Sequence, residues 1–202
     1  TFVSRFFKRM LPSALKDRCL ILTLNAVDAQ GDSTAFMNWM TERIISQIES
    51  HHFASGAPSY DDLRGLYHHE YVKRSVGIDA PLYQSDKDAF KRKFSDLLDG
   101  YITNDRLGYL ERLLADAIKN RKKLPVFVVD NTDEFQPEFR EVVYQYFQSL
   151  KRSCSFALLI IPMTDQTAWT FMRTKIFNVY SSKSFFLPTP SPKEVLRKRI
   201  DY

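Results

Sequence analysis

The sequence predicts an α/β fold built on a parallel β-sheet, and three observations support this prediction. Three short apolar runs, at 19–24, 126–129 and 156–162, have the length of buried strands, and each is followed by polar residues. Segments with apolar residues at the 3–4 spacing of a helix lie between these runs. Strands that alternate with helices pair in parallel through right-handed crossovers, which favours a doubly wound sheet.

The helical segments are predicted from the spacing of their apolar residues and from their caps. The segment 33–50 has Ser33 as a candidate cap, and 136–150 carries Pro137 in its first turn. Residues 51–85 are rich in Gly, Pro and His, which predicts a loop-rich insertion with short helices. The other predicted elements are a basic amphipathic helix at 1–10, helices at 86–98 and 104–121 with Thr103 and Asn104 as candidate caps, a helix at 166–177, a strand at 185–187 and a helix from 192.

Composition is that of an ordinary globular protein. The 202 residues are 44% hydrophobic and 26% charged, which allows one large domain with a substantial core. The net charge of +5 permits an anionic partner without requiring one. Cys19 and Cys154 border apolar runs and are expected to be buried free thiols in a reducing, cytoplasmic compartment. No apolar run approaches the roughly 18 residues of a membrane span.

Both ends of the sequence predict elements that are cut. Residues 1–10 have a helical period with no cap before them, and the helix predicted from Pro192 has no stop signal. We therefore expect the sequence to be a fragment of a longer protein.

The run at 126–129 predicts the functional site. Lys122, Lys123 and Pro125 precede it, and Asp130, Asn131, Asp133 and Glu134 follow it. In open parallel sheets, ligands bind outside the carboxyl ends of the strands. These polar residues are therefore the first candidates for chemistry. The alternative interpretation is an acidic turn that only caps the next helix.

Four segments together resemble P-loop NTPases of the STAND and KAP-like group, within the wider AAA+-like class. The strand that ends Asp130-Asn131-Thr132-Asp133 resembles a Walker B strand, and the segment from Pro162 to Thr167 resembles the end of a sensor-1 strand. The segment from Phe185 to Tyr202 is similar to a last core strand that leads into a helical lid, from about 192. Residues 1–7 resemble the helix that follows a Walker A loop. The resemblance implies a single three-layer αβα core over 1–202; it does not extend to 51–100.

One motif of that group does not occur in the sequence. The Gly-x-x-x-x-Gly-Lys-[Ser/Thr] loop, which holds the β- and γ-phosphates, is not found among the 202 residues. We expect this loop and the first strand to lie just upstream. Thr1 would then be the Mg²⁺-binding hydroxyl residue or the residue after it.

The resemblance implies a role for each candidate residue, with ATP and Mg²⁺ as cofactors. Asp130 would hold Mg²⁺, usually through water. Many AAA+ proteins place an acidic residue next, where this chain has Asn131, whose amide can orient a water but cannot take its proton. Asp133, or else Glu134, would then be the base. For Asp133 the alternative is a cap for the helix after Pro137.

Further residues would contact the nucleotide or a partner. Thr164 or Asp165 would sense the γ-phosphate, and Arg173 and Arg199 are candidate sensor or finger arginines whose alternative is a solvated surface role. The pairs His51-His52 and His68-His69 do not have the pattern of a zinc site. Basic clusters near the start of the chain and at 121–123 could contact nucleic acid, although helix C-termini attract basic residues for a simpler reason.

The function expected from the resemblance is an ATPase that switches. Nucleotide state would drive opening or homo-oligomerisation of the parent protein and so control an effector domain or partner, and many bacterial relatives act in antiviral defence. The first alternative is a degenerate NTPase fold that serves as a scaffold or interaction module. A weaker alternative is a nucleic-acid-binding motor or loader.

Overall fold

The computed structural model describes residues 3, 6–29, 32–154, 156–164 and 167–168. Within these residues the chain forms a three-stranded sheet and eight α-helices. The strands are β1 (Cys19–Asn25), β2 (Leu124–Asp130) and β3 (Leu158–Ile160). The helices are α1 (Ser13–Lys16), α2 (Ser33–His52), α3 (Tyr60–Leu66), α4 (His68–Val76), α5 (Ala80–Ser85), α6 (Lys87–Asn104), α7 (Arg106–Lys119) and α8 (Pro137–Ser153). A π-helical turn spans Phe6–Met10, and 3₁₀ turns span Ala26–Asp28 and Thr132–Glu134.

The sheet has the order β1-β2-β3 with both pairs parallel, so the predicted parallel α/β class is confirmed. β1 and β2 pair over their full length, and β3 pairs with β2 over only three residues, from Leu158 to Ile160. The strand predicted at 156–162 is therefore too long. The apolar run continues beyond the residues that pair with β2, and exposed Phe156 lies outside the strand.

Pro125, which precedes the apolar run at 126–129, is the second residue of the central strand. The Leu124 amide donates to the Arg18 carbonyl on the β1 side, at 2.8 Å. Because successive amides of a strand point to opposite sides, the Pro125 nitrogen faces the side of β3. The β3 ladder begins only with the pair Val126–Leu158, so the missing N–H removes no sheet hydrogen bond.

Apolar side chains cover both faces of the sheet. On one face, Leu22 and Phe127 belong to one buried cluster with residues of α2, α7 and α8, so both crossovers pack on this face. On the other face, Val126 and Val128 pack with Phe7 of the π-helical turn. This arrangement is compatible with an αβα fold. The helix predicted at 1–10 is represented by Val3 and by the π-helical turn Phe6–Met10.

Helix α2 contacts the outer edge of β1 through the side chain of Gln47. Gln47 Oε1 accepts from the Thr23 amide and Gln47 Nε2 donates to the Thr23 carbonyl, both at 2.9 Å. The side-chain amide thus takes the place of a neighbouring strand at this point. The cap of α2 is Asp32, whose carboxylate accepts from the Ala35 amide, and Ser33 is the first helical residue. The prediction of Ser33 as the cap is therefore wrong by one position.

The insertion at 51–85 is more helical than predicted, because α3, α4 and α5 occupy most of it. Asp79, buried between α4 and α5, joins this segment to α6. Its carboxylate accepts from Lys93 Nζ at 2.7 Å and from Arg74 Nη1 at 3.1 Å. Lys93 and Arg74 hold the pKa of the Asp79 carboxyl below its usual range. The insertion is therefore packed onto the helical layer.

Helices α6 and α7 occupy the predicted region with different boundaries. Helix α6 runs to Asn104, well beyond the predicted end at 98. The cap of α7 is Asp105, which accepts from the Gly108 amide at 2.9 Å, so the predicted caps Thr103 and Asn104 are wrong. Helix α8 begins at Pro137, close to the predicted start. The elements predicted at 166–177, 185–187 and from 192 lie outside the described residues, apart from helical Thr167 and Ala168.

The cysteines and the helices can be compared with what the composition predicts. Cys154 is buried and Cys19 is half-buried, and both are free thiols, as expected. Burial raises the pKa of the Cys154 thiol to about 11, so this thiol is protonated at neutral pH. Among the described helices, none combines the length and the apolar character that crossing a bilayer requires.

We predict that Leu22→Ala lowers the free energy of unfolding by about 3 kcal/mol, because it opens a cavity under the crossover helices. Leu22 is 0% exposed. Leu15→Ala is the matched control, since Leu15 is 52% exposed and its truncation should change stability by less than about 0.5 kcal/mol. Urea titration measures both values. Equal losses in the two variants would contradict the assigned core.

His52, at the end of α2, predicts an acid-sensitive contribution to stability. Both ring nitrogens are buried and make no hydrogen bond within the described residues. Burial, followed by the positive charge of Arg121, lowers the pKa of His52 to about 4; His51 and Lys123 act in the same direction, and Asp116 opposes them. The neutral ring is therefore favoured in the folded state. Its contribution is present above the unfolded pKa of 6.5 and is lost as pH falls towards 4.

We predict that His52→Phe removes this part of the pH dependence. Between pH 7.5 and pH 4.5, the wild type should lose about 1–2 kcal/mol more than the variant, a value reduced for partial solvent screening. Urea midpoints at several pH values measure the difference. His51→Phe, at an exposed neighbouring position, should keep the wild-type slope. Parallel pH profiles for all three proteins would contradict the assignment.

Candidate functional site

The candidate site lies at the carboxyl edge of β1 and β2. The last residues of these strands, Asn25 and Asp130, are paired in the sheet register. Each strand continues into a 3₁₀ turn, Ala26–Asp28 after β1 and Thr132–Glu134 after β2, and the two turns contact each other. Parallel pairing therefore brings two polar segments together that are about 100 residues apart in sequence.

A short network of amides fixes this edge. Asn131 Nδ2 donates to Asn25 Oδ1 at 2.7 Å, and Asn25 Nδ2 donates to Asp28 Oδ1 at 2.9 Å. Asn131 has left-handed backbone angles, φ 59° and ψ 28°, which asparagine tolerates better than most residues. The chain therefore turns sharply directly after Asp130, and Asn25 holds this turn in place.

Asp130 faces a cleft of about 250 Å³. The polar lining comes from Asn25 and Asp28 after β1, from Asp130 and from Arg43 of α2, with Thr23 at the β1 edge. Arg43 precedes Gln47 by one turn on α2, so the contact of Gln47 with β1 also positions Arg43 at this edge. The cleft thus offers carboxylate, amide and guanidinium groups to a polar ligand. The remaining lining residues are Phe7, Leu24 and Val128.

The carboxylates after β2 have unused hydrogen-bonding capacity. Asp130 is half-buried, and its Oδ1 accepts from the Asn131 amide at 3.1 Å. No basic side chain of the described residues forms an ion pair with Asp130, Asp133 or Glu134. Thr132 is only 1% exposed, and its hydroxyl has no hydrogen-bond partner among the described residues. The carboxylates of Asp130, Asp133 and Glu134 at this edge could therefore bind a cation or a water.

Asp133 does not cap the following helix. The residue at the cap of α8 is Gln136, which makes no side-chain cap hydrogen bond, and Pro137 is the first helical residue. The interpretation of Asp133 as an N-cap is therefore wrong. Asp133 is half-buried on the 3₁₀ turn, whereas Glu134 is exposed.

Thr164, after β3, has a structural role of its own. It is exposed; its hydroxyl donates to Thr167 Oγ1 at 3.0 Å and accepts from the Thr167 amide at 3.4 Å. The Thr164 carbonyl also accepts from the Ala168 amide at 2.8 Å, which begins a helical turn. Thr1, Asp165, Arg173 and Arg199 lie outside the described residues.

The residues present fit one part of a Mg²⁺ site. Within the described ranges, no group of three His, Cys, Asp or Glu side chains is arranged to hold a metal. Mg²⁺ does not need such a group, because it keeps several waters and commonly uses one or two carboxylates together with phosphate oxygens. Asp130, with its partly free carboxylate in a polar cleft, has the donor chemistry for that role.

No family model matches the chain, and no curated protein or solved structure matches it significantly. In the sequence, Asn25 and Asp28 stand only among the polar residues that follow the run at 19–24, and nothing singles out Arg43. The position of Asn25 directly after a strand is a signal that could have placed it beside Asp130. Arg43 has no comparable signal, because its place depends on how α2 crosses the β1 edge.

We predict that Asn131→Ala is more destabilising than Asn131→Gly. Both variants lose the hydrogen bond to Asn25, at a cost of about 1 kcal/mol. Alanine adds about 1 kcal/mol more, because its Cβ is unfavourable in the left-handed conformation that glycine adopts freely. Urea unfolding of the two variants measures the difference. Equal or reversed stabilities would contradict the assigned backbone conformation.

Proposed function

We propose that these residues form the Mg²⁺ and water side of an ATP-hydrolysing site, in a P-loop NTPase of the STAND or KAP-like type. The observation that carries this proposal is the position of Asp130. It lies at the carboxyl end of the central strand of a parallel sheet, in a polar cleft, with no cationic partner in the described residues. Open parallel sheets bind their ligands at this location.

Asp130 would hold Mg²⁺, usually through a water molecule. When bound, Mg²⁺ neutralises the charge of the phosphate oxygens and helps to orient them. Asn131 donates to Asn25 through Nδ2, which leaves its Oδ1 free to accept a hydrogen bond from a water. The amide can therefore orient water without taking a proton.

Asp133 is the preferred general base. It is half-buried on the turn that follows β2, and no described residue forms an ion pair with its carboxylate. A base must be unpaired and near the water that it activates. Glu134 is the second choice because it is more exposed.

Other residues would meet the phosphates. Arg43 brings a guanidinium to the cleft, and guanidinium groups bind phosphate oxygens well. Thr164, which starts a helical turn after β3, or Asp165 would sense the γ-phosphate, while Arg173 would supply a further positive charge. Thr1 would contact Mg²⁺ or follow the residue that does.

The nucleotide state of this site would control an effector domain or partner protein, through opening or homo-oligomerisation. A cytoplasmic signalling or antiviral defence role belongs to the same proposal, and it rests on the resemblance of the four sequence segments. The alternative is a scaffold that does not hydrolyse ATP. One observation favours this alternative: Asn131 stands where many AAA+ proteins have an acidic residue, and its amide has a structural contact with Asn25.

We predict that Asp130→Ala and Asp133→Ala each lower Mg²⁺-dependent ATP turnover at least about 100-fold, the contribution expected of a positioned acid–base or metal-holding group. Because no Gly-Lys-[Ser/Thr] loop occurs in the 202 residues, turnover is measured on the longest natural chain that contains them. Asp133→Ala should retain ATP binding, because its role concerns the attacking water. Phosphate release and nucleotide binding are measured separately.

Asp88→Ala is the control, since Asp88 is exposed in the first turn of α6 and does not line the cleft. It should keep wild-type turnover. Wild-type turnover in both site variants would contradict the site assignment. Nucleotide binding without turnover in the wild-type protein would support the scaffold alternative.

A further inference from the structure

The basic residues of the chain concentrate at the opposite edge of the sheet, which we call the basic edge. It consists of three segments, 16–18, 119–123 and 151–152. These segments contain eight Lys or Arg residues and one acidic residue, Asp17. The chain as a whole has a net charge of +5, so the rest of the molecule is close to neutral. The eight basic residues are Lys16, Arg18, Lys119, Arg121, Lys122, Lys123, Lys151 and Arg152.

The topology brings these segments together. Arg18 directly precedes β1, residues 121–123 precede β2, and residues 151–152 end the helix that leads to β3. Parallel strands begin at the same edge, so all three segments lie there. One hydrogen bond shows the proximity of the first two segments directly, because the Leu124 amide donates to the Arg18 carbonyl at 2.8 Å.

Four cations of the basic edge form no ion pair among the described residues. In the helical layer, Arg74 and Lys93 share Asp79, Arg112 pairs with Glu70, and Arg106 pairs with Glu42. On the basic edge, Arg121 pairs with Asp116 at 2.7 Å. Lys16, Arg18, Lys119 and Lys122 are exposed and form no ion pair there. Their charges are therefore available to a partner.

The preference of basic residues for helix C-termini explains only part of this arrangement. It accounts for Lys16, Lys119, Lys151 and Arg152, which lie in the last turns of α1, α7 and α8. It does not account for Arg18, which precedes a strand, or for Lys122. Lys122 has a φ of 55°, a left-handed conformation that is unfavourable for lysine. Strained residues are concentrated at functional sites, so Lys122 points to binding at this edge.

An exposed aromatic side chain accompanies the charges. Phe156 is 68% exposed and lies two residues before β3. Since Leu158 pairs with Val126, Phe156 lies at the level of the start of β2, close to the segment 121–123. A solvent-exposed ring beside unpaired cations is the combination that single-stranded nucleic acid requires, because bases stack on aromatic rings and phosphates bind Lys and Arg.

We propose that the basic edge binds the phosphate backbone of single-stranded nucleic acid, with Phe156 as a stacking platform for a base. An anionic bilayer is disfavoured, because this edge consists of strand starts and helix ends rather than an amphipathic helix that could lie in the membrane surface. The proposed binding does not depend on the nucleotide site, which lies at the other edge of the sheet. The net charge of +5 underestimates the local positive charge of the basic edge, because that charge is concentrated on one surface.

The test measures fluorescence anisotropy of a labelled 20-nucleotide oligo-dT and of oligo-U with the full chain, from 25 to 200 mM KCl. Four to six phosphate contacts predict that log K falls with log [KCl] with a slope of about −3 to −4. The double variant Lys119→Glu/Lys122→Glu should weaken binding more than about 10-fold and make this slope shallower by about 1.4, which is 0.7 for each lost phosphate contact. Phe156→Ala should weaken binding about 5-fold or more at unchanged slope, because stacking releases no counterions.

The control is Arg64→Glu/Lys73→Glu, which changes the net charge equally on exposed residues of α3 and α4 and also removes the ion pair of Arg64 with Asp61. These helices pack on α5, α7 and one another. The control should keep the wild-type slope, and thermal unfolding should show that both double variants are folded. Binding without salt dependence, or an equal loss in the control, would overturn the proposal. So would tighter binding to phosphatidylserine vesicles than to the oligonucleotides.

Discussion

The parallel pairing of β1 with β2 is the constraint on which the rest of the structure depends. Full-length pairing of the two strands places Asn25 beside Asp130 and Arg18 beside Leu124, so one register fixes both edges of the sheet. A shift of one residue would turn Leu22 and its neighbours away from the crossover helices, because side chains alternate between the two faces. The burial of these apolar side chains therefore holds the polar residues of both edges in position.

This pairing places the carboxylate and amide groups at one end of the strands and the basic residues at the other end. Side chains with free oxygens follow the carboxyl ends of the strands, and unpaired ammonium and guanidinium groups precede the amino ends. Helix macrodipoles reinforce the separation, since the C-termini of α7 and α8 lie at the basic edge. The seven residues of β2 span roughly 23 Å at about 3.3 Å per residue. The two proposed sites are therefore distinct surfaces joined by a rigid element.

The sequence predicted the main elements, because apolar periodicity and strand length are local properties. The runs at 19–24 and 126–129 became β1 and β2, and the helices that follow them have the predicted apolar faces. The failures concern features that depend on partners elsewhere in the chain. β3 is short because its pairing with β2 covers three residues, and Asp32 and Asp105 cap helices where Ser33, Thr103 and Asn104 were equally plausible by residue type. The half of the candidate site that follows β2 was predicted from the sequence. Asn25 and Arg43 were not, because their positions follow from strand register and helix crossing.

Gln47 hinders the addition of a further strand to the outer side of β1. Its amide occupies the donor and the acceptor of Thr23, the groups that an added strand would need on the outer side of β1. β-Strand addition to that side would have to displace an interaction built into the longest helix. The outer side of β3 has no such block among the described residues. A further strand, whether from this polypeptide or from a partner that augments the sheet, would therefore disrupt fewer described contacts at β3 than at β1.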